Sequence, residues 1–346
     1  MAQQTVTQST KLGGTASNVS VGVVAHGLMM MTWTPNPVPD EQAFEAIKAG
    51  VDDLPPGTKM ILNSGEFYAQ DFGTANLELL SRFFAKYPDY ADKTFLSVKG
   101  GIDWTKRGPD GSLEFLRKSV DNILKALGPN KKLDLFEPAR IDRSIPVEEL
   151  TQHLVTLLKE GKFDHIGLSE CNANTLRKAH AVHPITAVEI EISPWSYEDK
   201  TKDVIATAKE LGITVIAYSP LGRGFLTGQI KSSSDLPPGD HRASLTRFQE
   251  ENIKHNMAIV DALVGIAKKK EITPAQLSIA WVRHLGPHVI PLPGSSKSSR
   301  TLENLKAGDI QLSDADLDEI NKVIATHQVK GDRYFGQSEE ESHLWG

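Results

Sequence analysis

The chain predicts a single (β/α)8 barrel of the α/β class, a TIM barrel with long loops and a C-terminal tail over the barrel mouth. Three observations carry this. Eight short apolar runs alternate with longer amphipathic segments, the connections are mostly short, and no mid-chain linker divides the 346 residues. Apolar runs without alternation suit strands buried on both faces of a parallel sheet. Eight such units in one chain favour a closed barrel over an open doubly wound sheet.

The expected strands cover 21–24, 60–62, 95–98, 133–136, 165–168, 187–190, 214–217 and 289–292. Expected helices cover 41–50, 73–86, 112–127, 147–160, 173–182, 200–211, 256–284 and 299–307. Asp40 is placed as an N-cap, Pro146 ahead of a helix start, and Thr273-Pro274 at another opening. Gly128, Gly161 and Gly212 fall where helix C-caps belong. The stretch 220–255, with GRGFLTG, SSSD and LPPGD, is a long loop of the kind that often serves as a lid. A last helix is expected over 313–327, opened by Ser313 and Asp316, and the tail 329–346 as a loop over one barrel end. Residues 1–11 are expected as a disordered polar tail, and 12–346 as one domain.

Composition excludes several classes of function. A formal net charge of -6 opposes a nucleic-acid footprint, which needs clustered excess Lys and Arg. The run Lys268-Lys269-Lys270 suits a solvated helix end, where cations complement the dipole. The single cysteine, Cys171, permits no internal disulfide and suits a reducing compartment; a buried inert thiol is the expectation. No apolar run approaches the ~20 residues of a membrane span, and the first residues lack a secretory pattern. A cytoplasmic protein follows as the expectation. Eleven His residues show no metal-ligand spacing, so no metal is expected.

In such barrels chemistry sits just past the C-terminal strand ends. Tyr68 and Lys99 follow the second and third runs. Carbonyl reduction needs a proton donor, and a phenol with pKa ~10 is a poor one at neutral pH. A nearby ammonium stabilises the phenolate and brings that pKa down; an ordinary surface Tyr and Lys would show the same spacing. The segment PGSSKSSRTLEN offers Gly294, the hydroxyls of Ser295, Ser296 and Ser298, Lys297 and Arg300 ahead of a helix N-terminus, which suits a phosphate and equally a plain polar loop. Glu189 and Glu191, two apart in a strand, share a face; a glycosidase would use such a pair, but no other feature points to sugar chemistry.

The blocks ILNSGEFYAQDFGTANLELL, LSVKGG, IGLSECN, VEIEISPWS, VIAYSPLGRGFLTG and IPLPGSSKSSRTLENLKA resemble the aldo-keto reductases over roughly residues 12–330. NSGEFY, LSVKGG and LDLFEPARID are most similar to the fungal pyridoxal reductase branch. The resemblance implies Tyr68 as proton donor, with Lys99 its partner and Asn63 beside it. It implies Ser169 and Glu189 on the nicotinamide carboxamide, Tyr218 stacked on the ring, and Ser219, Leu221 and Gly222 around the pyrophosphate. Ser295, Lys297, Arg300 and Asn304 match the adenosine phosphate and adenine contacts, which implies NADPH. His26, Trp33, Ala139, Arg140 and Trp195 are expected to line the substrate pocket.

Two departures stand out. The family usually has an Asp where this chain has Asn63 and a His where it has Ala139. Asn63 supplies no negative charge, so an unpaired Lys99 is expected to depress the Tyr68 pKa more strongly. Ala139 opens volume at the reacting centre, where the phenolic hydroxyl of pyridoxal could replace the missing donor. The leading expectation is NADPH-dependent reduction of pyridoxal to pyridoxine, within vitamin B6 metabolism. The alternatives are a reductase of other small aldehydes or ketones, and a weakly catalytic NADPH-binding sensor or partner subunit.

Overall fold

The computed structural model describes residues 6–346. Eight parallel strands pair with their chain neighbours: β1 (His26–Gly27), β2 (Met60–Gly65), β3 (Thr94–Gly100), β4 (Leu135–Pro138), β5 (His165–Ser169), β6 (Ala187–Glu191), β7 (Thr214–Tyr218) and β8 (Val289–Leu292). The barrel closes between its ends. Ala25 N–H donates to the Pro291 carbonyl at 2.9 Å and Gly27 N–H to that of Pro293 at 3.0 Å. No helix among the described residues is long and apolar enough to cross a membrane.

Strand side chains alternate between faces, and this sets the whole design. Ala25, Ile61, Phe95, Leu135, Ala187, Ile216 and Ile290 point inward as an apolar plug. Their neighbours Met60, Leu62, Leu96, Val98 and Phe136 point outward, into the core shared with the helices. Those helices are α1 (Asp40–Asp52), α2 (Ala75–Lys86), α3 (Leu113–Leu127), α4 (Val147–Lys159), α5 (Ala173–Val182), α6 (Asp199–Leu211), α7 (Glu250–Lys269), α8 (Pro274–Arg283), α9 (Ser298–Lys306) and α10 (Asp314–Thr326).

The first strand lies later than expected. Ser20–Gly22, in the run placed at 21–24, pairs antiparallel with Ser9–Lys11, and the barrel strand is β1. Part of the segment 1–11 expected as a disordered tail is therefore ordered, with Val6 fully buried; residues 1–5 lie outside the described residues. The hairpin seals the bottom of the barrel, where inward apolar residues would otherwise meet water. Leu12 and Ala16 join the barrel interior. Gly14 N–H donates to the Gly212 carbonyl at 3.0 Å. A Cβ on Gly14 would stand 2.3 Å from the Ile185 carbonyl oxygen, so only glycine fits that approach.

The expected helix 256–284 is two helices, α7 and α8. Pro274 has no N–H to continue a helix, and Thr273 starts α8 with a capping box: its hydroxyl accepts from Gln276 N–H at 3.1 Å and the Gln276 side chain accepts from Thr273 N–H at 3.1 Å. Asp40 is not an N-cap. Pro39 holds that position, and Asp40 instead grips Arg82 with two hydrogen bonds of 2.6 and 2.8 Å. The stretch after β7 carries short 3-10 turns and gives way to α7 at Glu250. Ser313 and Asp316 form the expected capping box of α10.

Candidate active site

Carrying the inward parity two or four residues past the apolar plug gives a polar layer at the top of the barrel. Asn63, Lys99, Glu137, Ser169, Glu189 and Glu191 all lie on it, and all are buried. Lys99 is its centre. The ammonium donates to the Asn63 amide oxygen at 2.8 Å, pairs with Glu189 at 2.6 Å and lies 3.8 Å from Glu137. Asn63 closes the ring by donating its amide N–H to Glu189 at 2.7 Å. Lys99 is thus not the unpaired ammonium expected from Asn63: the charge arrives from β6. A strand-to-strand register places it there, invisible to local spacing.

The Tyr68 ring centroid lies 5.8 Å from the Lys99 Nζ. Burial raises the phenol pKa above its ordinary value, Lys99 opposes that rise, and the Glu189 carboxylate adds to it. Stronger depression of Tyr68 by a bare cation is therefore not what the cluster provides. Coulombic attraction to Glu189, Tyr68 and Glu137 outweighs burial and raises Lys99, so it stays charged. Burial and the neighbouring Glu189 carboxylate push the Glu137 carboxyl well above the usual carboxylate range.

Aromatic side chains cluster around Tyr68. Trp33 lies 5.7 Å from Tyr68 and Phe67 5.5 Å, and Phe72 stacks on Trp104 at 4.0 Å. Ala139 is buried in the same cluster. Trp33 and Ala139 are thus brought to Tyr68 as expected, while Phe67, Phe72 and Trp104 went unnoticed because a loop aromatic carries no periodic signal.

Three expected pocket residues go elsewhere. Ala25 faces the barrel interior, so alternation turns His26 outward, where it hydrogen-bonds the Ser295 carbonyl at 2.9 Å. Trp195 stacks on Phe225 at 4.7 Å beneath the loop after β7, with Arg247 over its face. Arg140 donates to the Tyr334 hydroxyl at 3.0 Å and to the carbonyls of Ala139 and Ser342, so it anchors the tail.

That tail crosses the ends of β5, β6 and β7. Arg333 pairs with Glu170 at 2.7 Å and Glu191 at 3.0 Å, and it donates to the Tyr218 hydroxyl at 2.9 Å. Glu191 also meets Arg223 at 3.6 Å and Arg247 at 3.9 Å, from the loop after β7. Arg333, Arg223 and Arg247 hold the Glu191 carboxyl down at about 2 against burial, and Arg333 and Arg140 keep Glu170 below its ordinary value. The sequence contains no pattern that pairs residue 333 with residues 170 and 191. Cys171 is buried, and burial pushes its thiol pKa up.

Unpartnered polar atoms concentrate here. Ser169 Oγ, Ser193 Oγ, Trp195 Nε1 and Arg333 Nη1 are buried without protein hydrogen-bond partners, so each has capacity for a water or a ligand. A Cβ on Gly222, at φ +55, would fill the cradle 2.6 Å from that Trp195 nitrogen. Tyr218 and Ser219 remain half-open to solvent. Across the mouth, Ser295 and Asn304 are buried while Lys297 and Arg300 stand exposed at the start of α9, whose N-terminus favours an anion. These donors fit a nicotinamide dinucleotide laid from β5 to α9.

The aldo/keto reductase family model matches residues 23–325. The chain is 39% identical over 330 residues to a Saccharomyces cerevisiae protein named "Putative pyridoxal reductase", covering 89% of this chain and 94% of that one. It is 37% identical over 324 residues to "Probable pyridoxal reductase 2" of Schizosaccharomyces pombe, covering 92% and 96%. Among solved structures, a glycerol dehydrogenase from Gluconobacter oxydans superposes with a TM-score of 0.77 at 23% identity over 96% of this chain and 98% of that one, a likeness of fold. This chain belongs to the aldo/keto reductase family, and it is an oxidoreductase of a family that generally uses NAD(P)H.

Proposed function

We propose that the protein reduces pyridoxal to pyridoxine with NADPH. The observation that carries the chemistry is the buried Lys99 ammonium set beside the Tyr68 phenol, next to a cluster of aromatic side chains. When bound, NADPH supplies the hydride. Tyr68 gives its proton to the carbonyl oxygen as negative charge develops there, and Lys99 stabilises the phenolate left behind. Ser169 Oγ, free in its buried position, holds the nicotinamide amide, and Tyr218 supports the ring. Ser219, Leu221 and Gly222 receive the pyrophosphate. Trp33, Phe67 and Trp104 form walls that suit a flat aromatic aldehyde. The names of the two yeast relatives support the choice of pyridoxal.

NADPH follows from Ser295, Lys297, Arg300 and Asn304 around the N-terminus of α9. Arg300 in particular offers a fork to a terminal phosphate. Changing Arg300 to Ala is expected to raise the KM for NADPH by about tenfold or more, as loss of a charged hydrogen bond does. The KM for NADH should not move. Equal effects on both cofactors would remove the assignment.

The deciding experiment follows NADPH absorbance with purified protein and pyridoxal, beside a panel of simple aldehydes and ketones. Turnover concentrated on pyridoxal supports the proposal. Broad turnover with little on pyridoxal moves the substrate to another small carbonyl compound. Tight NADPH binding with no turnover on any of them replaces the reading with a cofactor sensor.

A further inference from the structure

The resemblance to the family assigns Glu189 to the cofactor amide, yet its carboxylate is committed elsewhere. One oxygen lies 2.6 Å from the Lys99 ammonium and the other accepts from Asn63 at 2.7 Å. Asn63 in turn accepts from Lys99 at 2.8 Å, so three buried side chains from β2, β3 and β6 form a closed ring. We propose that Glu189 is the charge partner of Lys99, a positioning residue for proton transfer from Tyr68, and not a ligand of the nicotinamide.

The resemblance implies an Asp where this chain has Asn63; here the carboxylate of the ring is Glu189, and Asn63 serves as the neutral bridge that keeps the ammonium aimed. A buried ammonium needs such a partner, because an uncompensated charge in the interior is costly. The groups facing Lys99 are Asn63, Tyr68, Glu137 and Glu189. Glu137 lies 3.8 Å from the ammonium against 2.6 Å for Glu189 and stands too far off to replace it in full. The carboxamide is then left to Ser169 Oγ, which is buried with no other partner.

This assignment rests on the reductase reading, but its test needs no turnover. The Tyr68 phenol is titrated by ultraviolet difference spectroscopy, with Tyr68→Phe as the reference, and NADPH affinity is measured by fluorescence. The Glu189 carboxylate opposes a second negative charge on Tyr68. In Glu189→Gln the phenol should therefore titrate about one pH unit lower, the alkaline limb of kcat should move down with it, and NADPH affinity should hold. Adding Asn63→Asp returns a carboxylate to the same ammonium from the other side. That double variant should titrate near the parent and bind NADPH as the parent does. It also decides the matter if the single variant does not fold. An unmoved Tyr68 titration in Glu189→Gln, or a tenfold loss of NADPH affinity in either variant, would overturn the proposal. A parent that turns over no aldehyde would instead count against the reductase reading and leave the titration result standing.

Discussion

Changing Tyr68 to Phe is expected to lower kcat for aldehyde reduction by about 10²- to 10⁴-fold, the usual contribution of a positioned general acid. The change removes one hydroxyl from a ring that packs among Trp33, Phe67 and Ala139. Those contacts remain, so the fold and NADPH affinity should be preserved. Steady-state kinetics with a parallel cofactor titration separates the outcomes. A loss appearing in the KM for NADPH, with kcat intact, would mean that Tyr68 serves binding and that another group supplies the proton. Reduction requires the protonated phenol, so parental activity should hold at neutral pH and fall as pH rises through the Tyr68 titration. Burial and Glu189 move that limb up, and Lys99 moves it down.

The largest effect on stability is expected at Arg333. Its guanidinium bridges two buried carboxylates, Glu170 and Glu191, from a tail far away in sequence. Changing Arg333 to Met keeps much of the bulk and removes the charge. Glu170 then loses its ion-pair partner, and Glu191 keeps the longer ion pairs to Arg223 and Arg247 and the Ser196 hydroxyl. Breaking a buried pair on one side costs about 3–5 kcal/mol, which chemical denaturation would read directly.

The pH dependence carries a sign. Glu191 titrates at about 2 in the fold against an ordinary 4.5, a depressed carboxylate. Its stabilising contribution is present above the ordinary value and is lost as pH falls toward 2. Glu170 is shifted in the same direction. The gap in stability between parent and variant should therefore be widest near neutral pH and shrink through the acid range. A gap that stays constant with pH would show that the loss comes from packing of the tail and not from the ion pairs. Since Arg333 also touches the Tyr218 hydroxyl, the same variant should bind NADPH more weakly.

Much of this was legible in the chain alone, for a local reason. Alternation along a strand couples each inward apolar residue to an inward polar one two or four positions on: Ile61 to Asn63, Phe95 to Lys99, Ala187 to Glu189. Eight apolar runs, caps such as Thr273 and Ser313, and Tyr68 and Lys99 just past their strands are all short-range patterns. These determined the barrel, its working end and the chemistry proposed there.

The errors share the opposite character. His26 faces outward because Ala25 holds the inward register, a one-residue parity. Trp195 and Arg140 are taken by the loop after β7 and by the tail. The partner of Lys99 comes from 90 residues away, and Arg333 reaches Glu170 across 163. A charge pair in the interior is decided by which strands closure brings face to face, and the strength of that attraction depends on distance and burial, which spacing does not encode. The sequence by itself determined the scaffold and pointed to the residues proposed to do the chemistry. Only the tertiary structure decided which carboxylate balances the buried ammonium and which arginine holds the tail across the mouth.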